Sequence, residues 1–154
     1  MSTRWECERC GRTFGRTGQG HTCVPGMTVD AYFAQRPPIQ RAIYDAVADH
    51  MTALGPMEVE AVGVGIFFKK GRSFVELRHR QKWMVLTFML DHRFEHERLV
   101  YIGGGAGRHF HRVRLDTPAD VDDQLRSWLT ASYVCAPDLR LLPDRPQLAR
   151  ELFE

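Results

Sequence analysis

The sequence lacks the features that mark membrane-spanning, secreted and disordered proteins. Among its 154 residues no apolar run approaches the roughly 20 that a membrane span needs. The first twenty positions are polar and rich in arginine, unlike a signal peptide. Hydrophobic residues at 44% and charged residues at 26% are close to globular averages. We therefore expect one folded domain with a small appendage, located in the cytoplasm and without a membrane partner.

An excess of one charge and an even spread of cysteines are also missing. The formal net charge is +2, and a zinc ion held by three thiolates would leave about +1. Neither value requires a polyanionic partner. Three of the four cysteines lie within the first 23 residues, and Cys135 stands far along the chain. This clustering favours a metal site over two disulfides.

The clustered cysteines and one histidine have the spacing of metal ligands. Cys7, Cys10, His21 and Cys23 form the pattern C-x2-C-x10-H-x-C, and Gly11 suits the tight turn after the first pair. Since four protein ligands leave no open position, we predict one structural zinc ion rather than a catalytic one. The alternatives are a redox Cys-x-x-Cys pair and unrelated thiols. His21 and Cys23 share a face only in extended chain, so this half-site is not a groove-reading helix.

Arginines and two aromatic residues surround these ligands. Trp5 and Phe14 either stack on nucleic-acid bases or pack over the knot as its small core. We favour packing, because large aromatic side chains are usually buried. Any nucleic-acid contact from this segment would use Arg9, Arg12 and Arg16.

Periodic apolar residues predict three helices in the rest of the chain. A short helix begins near Thr28, and a long one runs from Pro38 to a stop at Gly55. A third begins at Thr117, where a capping threonine, a proline and an acid coincide, and it ends at Cys135. We interpret Cys135 as a buried hydrophobic residue rather than a nucleophile.

Between residues 57 and 115 the apolar period changes to two, which predicts an antiparallel sheet of about five to six strands. The segment from Trp83 to Leu90 is apolar on both faces, as in a strand near the middle of the sheet. Gly103 to Gly107 forms a predicted loop that lacks the ending of a nucleotide-binding loop. The predicted fold class is α+β, a sheet flanked by helices with an N-terminal zinc-binding knot. We assign residues 1–26 to the knot, 27–136 to the α+β domain and 137–154 to a tail.

Alternation along the strands collects arginines on one face of the predicted sheet. That face is expected to carry Phe74, Arg78, Arg80, Arg108, Phe110, Arg112 and Arg114. Arginines beside aromatic rings bind single-stranded nucleic acid or small anions by charge and stacking. A solvated face neutralised by nearby acids is the alternative.

No nucleophile, base and orienting acid can be assembled from spacing. Asp91, His92, Glu95, His96 and Glu97 are the nearest approach to a second metal site or an acid/base pair. A charged run between strands is more often a solvated loop, which is the interpretation we favour.

Several stretches of the main domain match a known family. They are residues 64–69, Phe74 to Leu77, residues 82–90, His96 with Arg98, Phe110-His111 and residues 117–129. In these the chain resembles the bacterial domain of unknown function family 5655, and with the knot the likeness covers residues 5 to about 135. The resemblance implies a small α+β domain, sometimes preceded by a zinc knot, and implies no activity. Polar and aromatic residues within the matching stretches form a hypothesised ligand-binding site, which comprises Lys69, Glu76, Trp83, His96, Phe110 and His111.

The sequence favours a non-catalytic, zinc-binding module that contacts nucleic acid. One alternative is a small-molecule-binding or enzymatic domain with a pocket formed by Glu76, His96 and His111. Another is a protein-interaction adaptor that uses the C-terminal tail, where Leu148, Leu152 and Phe153 form a short apolar turn.

Overall fold

The computed structural model describes residues 5–21 and 23–137. The strands are β1 (Trp5–Glu6), β2 (Thr13–Phe14), β3 (Gly26–Met27), β4 (Glu58–Val62), β5 (Gly65–Lys69), β6 (Ser73–His79), β7 (Met84–Leu90), β8 (Leu99–Gly105) and β9 (Arg108–Leu115). The helices are α1 (Val29–Phe33), α2 (Pro38–Leu54) and α3 (Asp123–Cys135). The C-terminal tail predicted from residue 137 onwards lies, apart from Pro137, outside the described residues.

The α+β class is confirmed, with a sheet larger than predicted. Seven strands follow the order β3-β4-β5-β6-β7-β9-β8, each antiparallel to its neighbours, and β1 pairs separately with β2. The additional strand is β3, whose two residues are too few to show a period. All seven residues of β7 are buried, as its apolar sequence predicts. No helix in the described part of the chain is both long and apolar enough to cross a membrane.

The strand register separates a helix face from an open face. The helix face carries Ile66, Phe68, Val75, Leu77, Leu86, Phe88, His111 and Val113. Side chains from α2 and α3 pack on it, including the fully buried Ile43, Val47, Leu125 and Leu129. Each large apolar side chain buried there contributes about 1.5–3 kcal/mol relative to exposure. The open face carries Phe67, Glu76, Arg78, Val85, Thr87, Phe110, Arg112 and Arg114.

Side-chain caps mark the starts of α1 and α3, whereas α2 begins at a proline without a side-chain cap. The Thr28 side chain accepts a hydrogen bond from the Ala31 amide at 3.0 Å and opens α1. Thr117 has a capping box as predicted, but it closes only a 3₁₀ turn over Pro118–Asp120. Because Val121 leaves the helical region at φ −83° and ψ 73°, α3 begins later, with Asp122 as its cap. The prediction that α3 begins at Thr117 was wrong for this reason.

The glycine-rich loop is shorter than predicted. Gly103, Gly104 and Gly105 belong to β8, and only Ala106 and Gly107 form the turn to β9. Both turn residues have positive φ, 53° and 78°. Two successive positive φ values match the twist of the flanking strands, so a two-residue turn closes this hairpin.

Phe74 is the residue that alternation placed on the wrong side. The register between β5 and β6 shifts between Phe68 and Lys69. Phe68 faces Val75 and Lys69 faces Ser73, so Phe74 is the extra residue between them. Such a bulge re-aims the inserted side chain. Phe74 is buried in the core, with its ring centroid 6.0 Å from that of Tyr133 on α3.

Candidate metal centre and open sheet face

The four predicted metal ligands converge at the N-terminus of the described chain. After β1, the Gly11 amide donates to the Cys7 carbonyl at 2.8 Å, and Gly11 adopts the positive φ of 73° that its turn needs. The Cys7 and Cys23 sulfurs lie 3.8 Å apart, and the Cys10 sulfur lies 3.6 Å from His21 Nε2. All four ligand atoms lie within 4.8 Å of one another. These four ligand atoms could hold one metal ion, and we call residues 5–23, which carry them, the metal knot.

A neighbouring carbonyl sets the tautomer of the histidine ligand. His21 Nδ1 lies 2.7 Å from the Gln19 carbonyl oxygen, which can only accept, so Nδ1 carries the proton. The lone pair of Nε2 is then directed at the cysteine sulfurs, as a metal ligand requires. The Phe14 ring packs 4.1 Å from the His21 ring, and Trp5 lies 5.8 Å from both. Packing of the two aromatic residues over the knot agrees with the interpretation favoured above.

The thiols of the knot differ in acidity. The pKa of Cys7 is lowered to about 6, chiefly because the Cys10 amide donates a hydrogen bond to its sulfur. The pKa of Cys23 rises to about 11, because surrounding atoms desolvate the thiol and the other two sulfurs disfavour another negative charge. A bound cation offsets that repulsion, so metal binding and release of the thiol protons are coupled.

A buried ionic cluster attaches the knot to the sheet. Glu60 of β4 accepts hydrogen bonds from Arg12 and, at 2.8 Å, from Lys69 of β5. Lys69 also donates to the Thr13 carbonyl at 3.3 Å and lies 4.6 Å from the Phe14 ring centroid. Burial raises the pKa of Glu60, but the two cations outweigh that effect and the pKa is lowered. Lys69 and Arg12, both hypothesised contact residues, are thus occupied in joining the knot to the domain.

Beyond the knot, arginines on the open face lie over aromatic rings. The Arg112 guanidinium lies 4.8 Å from the Tyr101 ring centroid and donates to Thr87 at 3.0 Å. The Arg114 guanidinium lies 4.0 Å over Trp83 and pairs with Asp116 at 2.8 Å. The neighbouring Arg78 side chain donates to Glu76, and Arg108 lies 5.3 Å from the Phe110 ring.

One further arginine that alternation does not indicate, Arg72, lies in the β5–β6 turn. Burial lowers its pKa, and the nearby charge of Arg16 lowers it further. The pKa of Arg108 falls to about 10, because of burial and then the charge of Arg72. Arg108 of β9 also donates to the Ser73 carbonyl beside this turn at 3.4 Å, so Arg16 of the knot, Arg72 and Arg108 lie in one neighbourhood. No local sequence pattern indicates this grouping of arginines, because it depends on the contact between the knot and the turn. There the Gly15 amide donates to the Gly71 carbonyl at 3.3 Å.

The residues of the alternative histidine pocket do not come together. Glu76 lies on the open face, whereas His111 lies on the helix face, fully buried between Phe88 and Phe94 at ring distances of 5.4 and 4.6 Å. His96 lies beside α3, where its ring is 5.1 Å from that of Trp128. Of the hypothesised ligand residues, Glu76, Trp83 and Phe110 lie on the open face, and Lys69 is held beneath the knot by Thr13 and Glu60.

Fold and site together define a small α+β domain that carries a Cys₃His metal knot. A family of domains of unknown function (DUF5655) matches residues 29–135, more than half of the chain. The protein belongs to this family. The matched stretch begins after the knot, so the family defines the domain and the knot precedes it. No curated protein and no solved structure gives a significant match.

Proposed function

We propose that this protein is a non-catalytic binding module that contacts single-stranded nucleic acid through its open face. The observation that carries the proposal is the row of arginines on β9, each beside an aromatic ring. Guanidinium groups supply phosphate contacts, and the exposed Tyr101, with Trp83 and Phe110, offers rings on which bases can stack. α2 and α3 pack on the other face of the sheet.

Zinc is the metal that best suits the knot. Metal–sulfur bonds of about 2.3 Å in a tetrahedron imply ligand–ligand separations of about 3.8 Å, and a sulfur–nitrogen edge is slightly shorter. The separations of 3.8 Å and 3.6 Å in the knot agree with these values. Three thiolates and an imidazole also favour zinc over magnesium or calcium, which prefer oxygen ligands. Clustered reduced cysteines suit the cytoplasm, the location we propose.

The knot has two roles in this proposal. It holds the edge of the sheet through β3 and the Glu60 cluster, and it supplies Arg16 to the neighbourhood of Arg72 and Arg108. Of the knot arginines, Arg9 and Arg16 are exposed, whereas Arg12 is buried against Glu60. The zinc ion itself is structural, because all four ligand positions are taken by the protein.

A salt-dependent titration tests the proposal. We expect a fluorescein-labelled single-stranded oligonucleotide to bind the zinc-loaded protein at low salt, with an affinity that falls as salt rises. Each phosphate contact contributes a slope of about −0.7 in a plot of log K against log salt. Removing two contacts with the double variant Arg112→Ala and Arg114→Ala should weaken binding by roughly tenfold or more and flatten the slope by about 1.4.

The matched control removes two arginines from the helices. Arg41 pairs with Asp30 and Arg126 pairs with Asp123, both on exposed helix surfaces. The double variant Arg41→Ala and Arg126→Ala removes the same charge, and its affinity should stay within about twofold of the original. Absence of binding at low salt, or an equal loss in both double variants, would refute the open-face proposal.

A further inference from the structure

Three basic side chains meet at the end of the sheet where β6 turns into β7. Arg36 comes from the connection between α1 and α2, His79 ends β6, and Arg80 follows in the turn. The charges of Arg36 and Arg80 both act on the His79 imidazole, whose pKa is lowered first by burial and then by these two neighbours. Residues more than forty positions apart are thus brought into one cluster.

Two buried side chains hold this cluster in place. The Tyr32 hydroxyl accepts a hydrogen bond from the His79 amide at 3.0 Å. The Arg36 guanidinium lies over the Tyr32 ring, 4.1 Å from its centroid. Gln40 in the first turn of α2 is 1% exposed, and its amide nitrogen donates to the carbonyls of Arg80 at 2.9 Å and Trp83 at 3.3 Å. Tyr32 and Gln40 thus fix the positions of Arg36, His79 and Arg80 relative to one another.

The same glutamine fixes the tautomer of His79. Because the Gln40 nitrogen donates to two carbonyls, its oxygen is the atom that faces His79 Nδ1. Nδ1 therefore carries a proton and donates it to that oxygen. On the far side of the ring, Nε2 can take up a second proton and become a donor to an anion.

Positive charge in this cluster has no carboxylate partner within the described chain. Arginines nearby do have one, since Arg41 pairs with Asp30 at 2.7 Å and Arg78 donates to Glu76. Neither Arg36 nor Arg80 forms an ion pair with another described residue within 4.0 Å, and the buried Nε of Arg36 meets no acceptor there. Grouped cations that lack counter-charges are suited to bind an anion.

We propose that Arg36, His79 and Arg80 bind one phosphate group. Guanidinium groups match the oxygens of a phosphate with paired donors, and a protonated imidazole adds a third direction of contact. The N-terminus of α2 begins directly after Arg36, has no acid in its first turn, and adds its dipole to the same attraction. None of these three residues belongs to the arginine row of β9, and phosphate binding here does not depend on nucleic-acid binding there.

Histidine side-chain NMR of the zinc-loaded protein tests the site with inorganic phosphate as the probe. We expect a saturable shift of the His79 signals and a rise in the His79 pKa, because a bound dianion favours the imidazolium. The exposed side chain of Arg80 donates, among the described residues, only to the neighbouring His79 carbonyl, and the Arg80 amide that donates to Trp83 is retained in alanine, so Arg80→Ala should fold normally. Arg80→Ala and Arg36→Ala should each weaken phosphate binding by about tenfold, whereas Arg41→Ala should leave it unchanged.

A second arm distinguishes the source of the phosphate. If phosphate saturates the site and a single-stranded oligonucleotide leaves the His79 signals unmoved, the ligand is a free phosphate or a phosphomonoester. If the oligonucleotide also shifts His79 and inorganic phosphate competes with it, the ligand is the nucleic-acid backbone. A His79 shift that stays linear with phosphate, or that is equal in Arg80→Ala and the original protein, would overturn the site.

Discussion

The metal knot buries little apolar surface, whereas the main domain buries apolar side chains from five neighbouring strands and three helices. In the knot the buried hydrophobic residues are Cys7 and Phe14. In the domain, Phe68, Phe88 and Leu125 are fully buried members of one core. The knot therefore depends on its metal ligands for order, whereas the domain depends on the burial of apolar side chains. The two regions meet at Glu60, where each contributes a cation to one carboxylate.

Removing the metal should produce the largest difference between the regions. Structural zinc in small finger peptides is worth roughly 10–16 kcal/mol of apparent binding free energy, so the knot should lose its order on chelation. The core of the domain contains no metal ligand and should persist. Native mass spectrometry should show loss of one zinc per chain, and hydrogen exchange should become fast in residues 5–23 while β6 and β7 stay protected.

Two cysteine variants sharpen this result. Cys10→Ser should abolish stoichiometric zinc binding, because it removes one of the four ligands. Cys135→Ser should retain one zinc, since Cys135 lies at the end of α3. Cooperative unfolding of the whole chain on chelation would contradict the independence of the two regions.

Separating the regions at their junction should have an intermediate effect. Glu60→Gln leaves the nearly buried cations of Arg12 and Lys69 without a countercharge, and breaking such a cluster costs about 3 kcal/mol. Urea unfolding measures this loss, and hydrogen exchange should show faster opening of the knot with zinc still bound.

The matched change is Glu76→Gln on the open face. Glu76 pairs with Arg78, whose side chain is about one third exposed, and exposed pairs contribute at most about 1 kcal/mol. Equal destabilisation by the two substitutions would show that the Glu60 cluster does not join the regions.

A cap within the domain should give the smallest effect and the clearest pH dependence. Asp122 accepts a hydrogen bond from the Leu125 amide at 2.9 Å, and Asp122→Ala should cost about 1 kcal/mol. Burial raises the pKa of Asp122, but the Leu125 amide and Arg98 outweigh it, so the folded-state pKa is lowered. The stabilisation is therefore complete above the unfolded pKa of about 3.9 and is lost as pH falls through the lower folded value.

Urea unfolding of both proteins at a series of pH values checks this sign. The difference in unfolding free energy should be constant near pH 6 and should shrink below about pH 4. Asp123→Ala removes the fully exposed neighbour and should change the unfolding free energy much less than Asp122→Ala. A difference for Asp122→Ala that grows on acidification would contradict the cap.

Local signals predicted the helices and the knot well; one error came from strand pairing and one from the backbone conformation of a single residue. The stop at Gly55 and the cap at Thr28 are properties of a few adjacent residues, and both predictions are confirmed. The inward turn of Phe74 depends on a bulge against β5, which alternation along β6 cannot show. The late start of α3 depends on the backbone of Val121, which a capping signature at Thr117 does not specify.

The sequence is sufficient to identify the residues of the metal knot, because ligand chemistry and short spacing act within one local segment. It also determined the fold class, because apolar periodicity records which sides of helices and strands are buried. Three relations became visible in the folded structure alone: Lys69 joins the knot to the sheet, Glu76 and His111 lie on opposite faces, and Arg36 approaches His79. These relations depend on strand register and on packing between distant segments, where a shift of one residue moves a side chain to the other face.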